Sequence, residues 1–349
     1  MPLEAYRRLG RSGLCVSPLA LGTMTFGTEW GWGSDQQAAR QMVDRYVEAG
    51  GNFFDTADLY TQGTSERWLG EFLTERRQKA VIATKFGFAD CAGDPNSGGN
   101  GRKNILRALE GSLRRLKTDY VDIYFLHAWD RLTQPEEVMR TLDDLVRSGK
   151  VRYLGLSNVP AWYAARAQTV SELRGREPIA ALQMEYSLIE RNLEHEFTDL
   201  ARGYGMGIMA WSPLASGLLS GKYHPAEGGG EGSGRLTTPQ VAANPAMRKF
   251  TARNWAIVAE LEAVAKLLDK SMAQVALNWV AGRPGVSAAI VGATKPAQLD
   301  DNLAALSFVI PDELRRRLDA ASQPERPYPY SFLGPEIRAL MRGGAKITC

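Results

Sequence analysis

The chain has 349 residues, 44% of them hydrophobic, enough to bury a large core in one β/α domain or in two ordinary ones. Its 42 basic and 39 acidic residues leave a formal net charge of +3 spread along the chain, which excludes an electrostatic footprint for nucleic acid or an anionic membrane. Three cysteines (Cys15, Cys91, Cys349) form no CxxC pair and three histidines (His127, His195, His224) show no ligand spacing, so no metal site is expected. The first residues lack an apolar leader core and no run of roughly 18 apolar residues occurs, which predicts a cytoplasmic location and no membrane contact.

In chain order, a stretch punctuated by Gly10 and Gly13 reads as a small N-terminal hairpin. Short apolar runs ending at a polar residue then alternate with longer segments of helical periodicity. The runs predict strands over 16–21, 52–55, 81–85, 121–127, 153–157, 181–185, 207–211 and 288–291. The segments between them predict helices over 35–49, 65–74, 103–116, 135–148, 161–172, 193–204 and 255–280.

Eight such units predict an α/β fold, a (β/α)8 TIM barrel in one domain spanning 1–349, in preference to an open doubly wound sheet. The rival is further weakened because no strand leads into GxGxxG; the glycine run 228–234 follows Lys222-Tyr223-His224 and reads as a surface loop. Residues 224–254 thus form a long, flexible insertion after strand seven, long enough for a lid, and 323–349, with four prolines, an irregular C-terminal extension.

In a β/α barrel the C-terminal ends of all strands open on one face, where the loops build the site. Asp55, Lys85, His127, Ser157, Gln183, Glu185 and Trp211 stand at or near such ends and are therefore expected to converge. Asp55, Lys85, His127 and nearby Tyr60 suit proton delivery to a carbonyl oxygen. A free phenol, with a pKa of about 10, is a poor donor at neutral pH; the Lys85 ammonium is expected to lower it, with Asp55 holding the lysine and His127 orienting the substrate oxygen. Alone, Asp55 reads as a loop or capping aspartate and Tyr60 as a packed loop aromatic, while a single strand-end Lys85 or His127 reads equally as structural or functional. Four of them at the ends of three successive strands do not read as coincidental packing.

From Leu9-Gly10 through Asn302 the chain resembles the aldo-keto reductases. Asp55-Thr56-Ala57-Asp58-Leu59-Tyr60, Thr84-Lys85 and Leu126-His127 are similar to the motifs that carry that family's catalytic tetrad. The resemblance implies a reversible NADP(H)-dependent reduction of an aldehyde or ketone, with Tyr60 as acid/base. It also implies cofactor residues: Thr23, Met24 and Asp55 near the site, Ser157, Asn158 and Gln183 on the nicotinamide carboxamide, and Trp211 on the ring face. Ser212, Pro213, Leu214, Ser216, Gly217, Ser220 and Lys222 resemble the pyrophosphate loop. Val291, Gly292, Ala293, Thr294, Lys295, Gln298, Asp301 and Asn302 resemble the adenosine segment, where Lys295, and secondarily Arg235, would meet a 2′-phosphate.

Met24, Phe26, Trp30, Trp32, Phe86, Phe88 and Trp129 follow strands one, three and four and are expected to line an aromatic mouth for bulky carbonyl or alcohol substrates. The stretches 211–222 and 292–302 resemble most the potassium-channel β-subunit branch, which keeps a second reading open: a nucleotide-sensing regulatory subunit with little turnover. Assembly into a homo-oligomer is compatible with either.

Overall fold

The computed structural model describes residues 2–226, 230–232, 234–244 and 248–345. Part of the glycine run 228–234, and Cys349, therefore lie outside the described residues.

A hairpin of β1 (Arg7–Arg8) and β2 (Cys15–Val16) opens the chain, pairing Arg7 with Val16 and Arg8 with Cys15. The barrel begins at β3 (Leu19–Gly22), so Val16, expected in the first barrel strand, belongs to the hairpin instead. There follow α1 (Gln36–Glu48), β4 (Phe53–Asp55), α2 (Thr64–Leu73), β5 (Val81–Phe86), α3 (Arg102–Leu116), β6 (Val121–Leu126) and α4 (Pro135–Arg147). The second half runs through β7 (Val151–Ser157), α5 (Ala161–Arg174), β8 (Ile179–Glu185), α6 (Phe197–Tyr204) and β9 (Gly207–Trp211). After the small hairpin β10 (Tyr223–His224) and β11 (Glu231–Gly232) come α7 (Pro239–Ala242), α8 (Ala252–Leu268), α9 (Met272–Ala281), β12 (Val286–Val291), α10 (Pro296–Leu303), α11 (Asp312–Ala321) and α12 (Pro335–Met341). The eight long strands close in the order β12-β3-β4-β5-β6-β7-β8-β9, all parallel. The (β/α)8 barrel is thus the observed fold.

Alternation along each strand separates two cores. One set, including Leu19, Leu21, Phe54, Ile82, Phe86, Tyr124, Leu126 and Leu182, packs outward under the helices. The other, including Ala20, Phe53, Ala83, Ile123, Phe125, Ala181, Met209 and Ala288, fills the barrel and joins Leu9 and Val16 of the hairpin. Gly10 shows how closely the hairpin seals this end: a Cβ there would lie 2.4 Å from the Gly205 carbonyl. Gly155 is equally constrained, since its Cβ would meet the Phe125 ring at 2.2 Å; the ring occupies the barrel axis because β7 yields the space.

Two expected elements differ. The helix expected over 255–280 is two helices, because Asp269 turns left-handed (φ 51°) and Ser271 with Gln274 forms a capping box that starts α9. The extension expected to be irregular contains α12, and its Tyr330 stacks on His195, with ring centroids 5.3 Å apart. Among the described residues no helix is long and apolar enough to cross a membrane, and no group of three or more metal-ligating side chains occurs.

Candidate active site

Each of β4, β5 and β8 turns from apolar to polar within one inward step: Phe53 to Asp55, Ala83 to Lys85, Ala181 to Gln183. At the C-terminal mouth these side chains meet. Lys85 Nζ donates to Asp55 Oδ2 at 2.7 Å and to the Thr56 carbonyl at 2.7 Å, and lies 3.1 Å from the Tyr60 hydroxyl. Gln183 Nε2 donates to the other Asp55 oxygen at 2.8 Å, across 128 residues of sequence. Lys85 is fully buried and Asp55 nearly so, so the ion pair is justified only because both charges keep a full set of partners. The His127 ring crosses that of Tyr60 edge-on, with centroids 5.8 Å apart.

The electrostatics follow from enclosure. Burial pushes the Tyr60 phenol above its ordinary range, and the opposing pull of Lys85 is the smaller effect. This corrects the expectation that Lys85 brings the phenol below its free value; desolvation of a phenolate wins. Burial works against the Lys85 ammonium too, but Asp55 and Tyr60 outweigh it and hold the lysine above its usual pKa. His127 is driven well below the usual imidazole range by burial and then by Lys85, and its Nδ1 has no partner among the described residues. At neutral pH the site therefore holds a neutral phenol, an ammonium and a neutral imidazole.

Beneath Tyr60 the structure adds a layer that motif reading left unassigned. Glu66, fully buried, accepts from Thr84 Oγ1 at 2.6 Å and pairs with Arg115 Nε at 2.6 Å. Asp58 lies beside it with Oδ1 unpartnered, and burial together with the Glu66 charge raises its pKa to about 7. Two acidic residues this near in sequence give no hint of burial; only the packing of α2 against α3 encloses them.

The remaining expected residues divide. Ser157 is buried, whereas Asn158 is exposed and left-handed (φ 49°), its Nδ2 donating to the His127 carbonyl at 2.9 Å. Trp211 closes β9 half-exposed, with Nε1 unpartnered among the described residues. Behind it the loop carrying Pro213 and Leu214 bends through positive φ at Ser212, Ala215, Ser216 and Gly217, and the Ser216 amide donates to Ser212 Oγ at 3.1 Å. Ser220 turns its hydroxyl back on the Gly217 carbonyl, and a Cβ on Gly217 would lie 2.7 Å from Lys222 Nζ. After β12, which ends at Val291, Gln298 accepts from the Thr294 amide at 2.9 Å and Asn302 Nδ2 reaches the Gly292 carbonyl at 3.5 Å. Thr25 donates to the Ala293 carbonyl at 2.6 Å, and Lys295 caps α10, exposed. Thr23 is buried and Met24 half-buried beside Asp55's strand; the Thr23 hydroxyl bonds the Asp55 carbonyl at 3.0 Å.

Five of the expected residues make other contacts than those expected. Phe86 points outward, because it neighbours inward Lys85, and packs on Tyr124 (centroids 4.8 Å apart). Phe26 is fully buried in the same outer layer. Asp301 gives its two oxygens to Ser271 and Gln274 at the start of α9. Arg235 stands over the Trp32 ring at 4.9 Å, near enough to Tyr60 for its charge to be felt there. Trp129 leans on Trp162 and Tyr163 of α5. Trp30, Trp32 and Phe88 do border the mouth: Trp30 is 6.4 Å from the Tyr60 ring and 5.6 Å from Trp32, and Phe88 meets His127 at 4.9 Å.

Residues 18–323 match the model of the aldo/keto reductase family. An aryl-alcohol dehydrogenase of Pestalotiopsis microspora is 33% identical over 95% of this chain and 85% of its own length. An aryl-alcohol dehydrogenase of Phanerodontia chrysosporium named for NADP(+) is 32% identical, over 92% of this chain and 86% of its own. A probable voltage-gated potassium channel subunit beta of Oryza sativa is 35% identical, over 93% and 99%. With a match of this extent over a closed barrel of this order, the chain belongs to the aldo/keto reductase family, a family of oxidoreductases.

Proposed function

We propose that the chain reduces an aldehyde or ketone to the alcohol with NADPH as reductant, and that Tyr60 is the proton donor. The observation that carries this reading is the Lys85 ammonium held between Asp55 and the Tyr60 hydroxyl. The cofactor, when bound, supplies hydride to the carbonyl carbon. Tyr60 keeps its proton on Oη until oxygen gains charge, then releases it to that oxygen; the phenolate left behind is stabilised by Lys85 and later reprotonated from solvent. Asp55 keeps Lys85 charged and aimed. His127, neutral, donates one N–H to the substrate oxygen without adding a competing charge. The reverse oxidation uses the same groups in the opposite protonation sense.

A nicotinamide nucleotide fits the residues present. The unpartnered Trp211 Nε1 and the buried Ser157 and Gln183 stand at the mouth, and the positive-φ run 212–217 presents backbone amides where small side chains allow close approach. Ser212 to Lys222 would hold the pyrophosphate, and residues 291–302 the adenosine, with Lys295 pairing the 2′-phosphate. Trp30, Trp32 and Phe88 favour an aromatic or otherwise bulky carbonyl compound, in keeping with relatives named aryl-alcohol dehydrogenases.

The test is consumption of NADPH with 4-nitrobenzaldehyde. Tyr60→Phe should lower turnover by roughly 100- to 10,000-fold while leaving cofactor binding intact. NADPH binding without turnover across a broad panel of carbonyl compounds would instead support a nucleotide-sensing regulatory role, a reading kept open by a relative named as a probable potassium channel subunit.

A further inference from the structure

We propose that Asn100, in the loop after β5, is a positioning residue for the reduction: it fixes the backbone that aims His127 at the substrate oxygen. This rests on the reductase reading above and adds a residue to its machinery. Strand β6 ends with Leu126, and His127 to Asp130 run on past it at the mouth. Two asparagines from neighbouring loops take over the hydrogen bonding there. Asn158, after β7, donates from Nδ2 to the His127 carbonyl at 2.9 Å and accepts the Trp129 amide on its own carbonyl at 3.3 Å. Asn100 donates from Nδ2 to the Ala128 carbonyl at 3.1 Å and accepts the Asp130 amide on Oδ1 at 2.8 Å. Its own amide donates to Asp130 Oδ2 at 2.8 Å, so Asn100 and Asp130 are bonded in both directions.

The loop that carries Asn100 is tied at its neck, where the Gly99 amide donates to the Gly87 carbonyl at 2.8 Å. That closure brings Asn100 beside His127: a Cβ on Gly87 would lie 3.5 Å from Asn100 Nδ2 and 3.8 Å from the His127 Cβ. Asn100 is fully buried, so removing its side chain strands the enclosed groups that it satisfies. Asp130 is anchored in turn, taking the amides of Leu132 and Thr133 on Oδ1 at 2.9 and 2.8 Å and the Thr133 hydroxyl on Oδ2 at 2.7 Å. His127 needs this support because its ring has little of its own. A histidine that presents one ring nitrogen is often held through the other by a carboxylate or a carbonyl, whereas His127 Nδ1 has no partner among the described residues. The Tyr60 and Phe88 rings meet the imidazole edge-on, which limits its rotation without setting how far it reaches. Reach is set by the backbone, and Asn100 braces that backbone from the β5 side.

A hydrogen bond to the substrate oxygen strengthens as that oxygen gains charge, so a misaimed His127 slows the reaction more than it weakens binding. The test is steady-state kinetics of the full chain with NADPH and 4-nitrobenzaldehyde, in the unmodified background and in His127→Ala, with NADPH affinity followed by quenching of protein fluorescence. Asn100→Ala should lower kcat by about 10- to 100-fold in the unmodified background, with KM and NADPH affinity little changed. In the His127→Ala background it should cost almost nothing further, because two changes that act through one group are not additive. Should Asn100→Ala fail to fold, Asp130→Asn serves the same test: an amide nitrogen turned toward the Asn100 amide breaks the link, while the remaining oxygen keeps the turn at 130–133. Equal losses in the two backgrounds would overturn the inference, since Asn100 would then act on the site at large. So would an unchanged kcat, or a fall in NADPH affinity that matches the fall in kcat. If the unmodified chain turned over no carbonyl compound at all, the reductase reading itself would fall.

Discussion

The two ends of the barrel are built on the same strands and behave as different materials. At the end sealed by the hairpin, Phe53, Ala83, Phe125 and Ala181 pack with Leu9 and Val16 into an apolar plug. One inward step on, Asp55, Lys85 and Gln183 join in a buried hydrogen-bonded network. The plug needs only volume and shape, and Gly155 shows how tightly shape is set. The mouth needs every charge matched, since removing one partner strands the other in a low-dielectric site. The plug supplies the burial energy that a mouth of enclosed charges consumes, so stability and chemistry are segregated along one axis.

Breaking either end tests this division. Lys85→Met leaves Asp55 enclosed without its cation and should destabilise the fold by about 3 to 5 kcal/mol, read by denaturant unfolding, as well as abolish turnover. Adding Asp55→Leu to it should recover part of that stability but none of the activity, because no enclosed charge is then left unpaired, although buried Gln183 loses its acceptor. Phe125→Ala should destabilise by a similar amount, about 3 to 5 kcal/mol, through the cavity it opens, yet any protein that remains folded should keep its preference among carbonyl substrates. An equal shift in that preference would blur the separation.

Asp58 sharpens the comparison through pH. Its folded pKa, near 7, lies above the unfolded value of about 3.9, so the native state favours the protonated acid. Stability from that group is present in full below the unfolded value, falls as pH rises through the window between the two, and is lost once pH passes the folded value. Asp58→Asn should therefore gain on the original chain in unfolding experiments as pH is raised from about 4 to 7, and hold a constant lead beyond; a lead independent of pH would mean that Asp58 is not enclosed as an acid. The smallest effect belongs to the exposed rim: Lys295→Ala should reduce the NADPH-to-NADH preference by about threefold, since an exposed ion pair is weak. An unchanged ratio would remove Lys295 from the 2′-phosphate.

Much of the fold was legible because β/α alternation is a local pattern. Polar residues ending short apolar runs located Asp55, Lys85, His127, Ser157 and Gln183 on one face once eight units were counted. The break between α8 and α9 was also readable, in Ser271-Met272-Ala273-Gln274, but a long apolar periodicity masked it. Phe86 shows a finer loss: its neighbour Lys85 faces inward, so alternation alone sends Phe86 out, whereas grouping by loop proximity placed it at the mouth. Phe26 had no such local cue, because the loop after β3 folds back onto the outer layer.

The order of residues by itself determined the number of strands, the alternation that sorts plug from helix-facing core, and the chemical types that arrive at the barrel's open end. Only tertiary structure decided that Gln183 completes Asp55, that Asp58 and Glu66 are shut away beneath Tyr60, and that Arg235 comes to rest on Trp32. Periodicity is a property of neighbours along the chain. Desolvation, and the charges it strengthens, arise when segments far apart in sequence close around the same space.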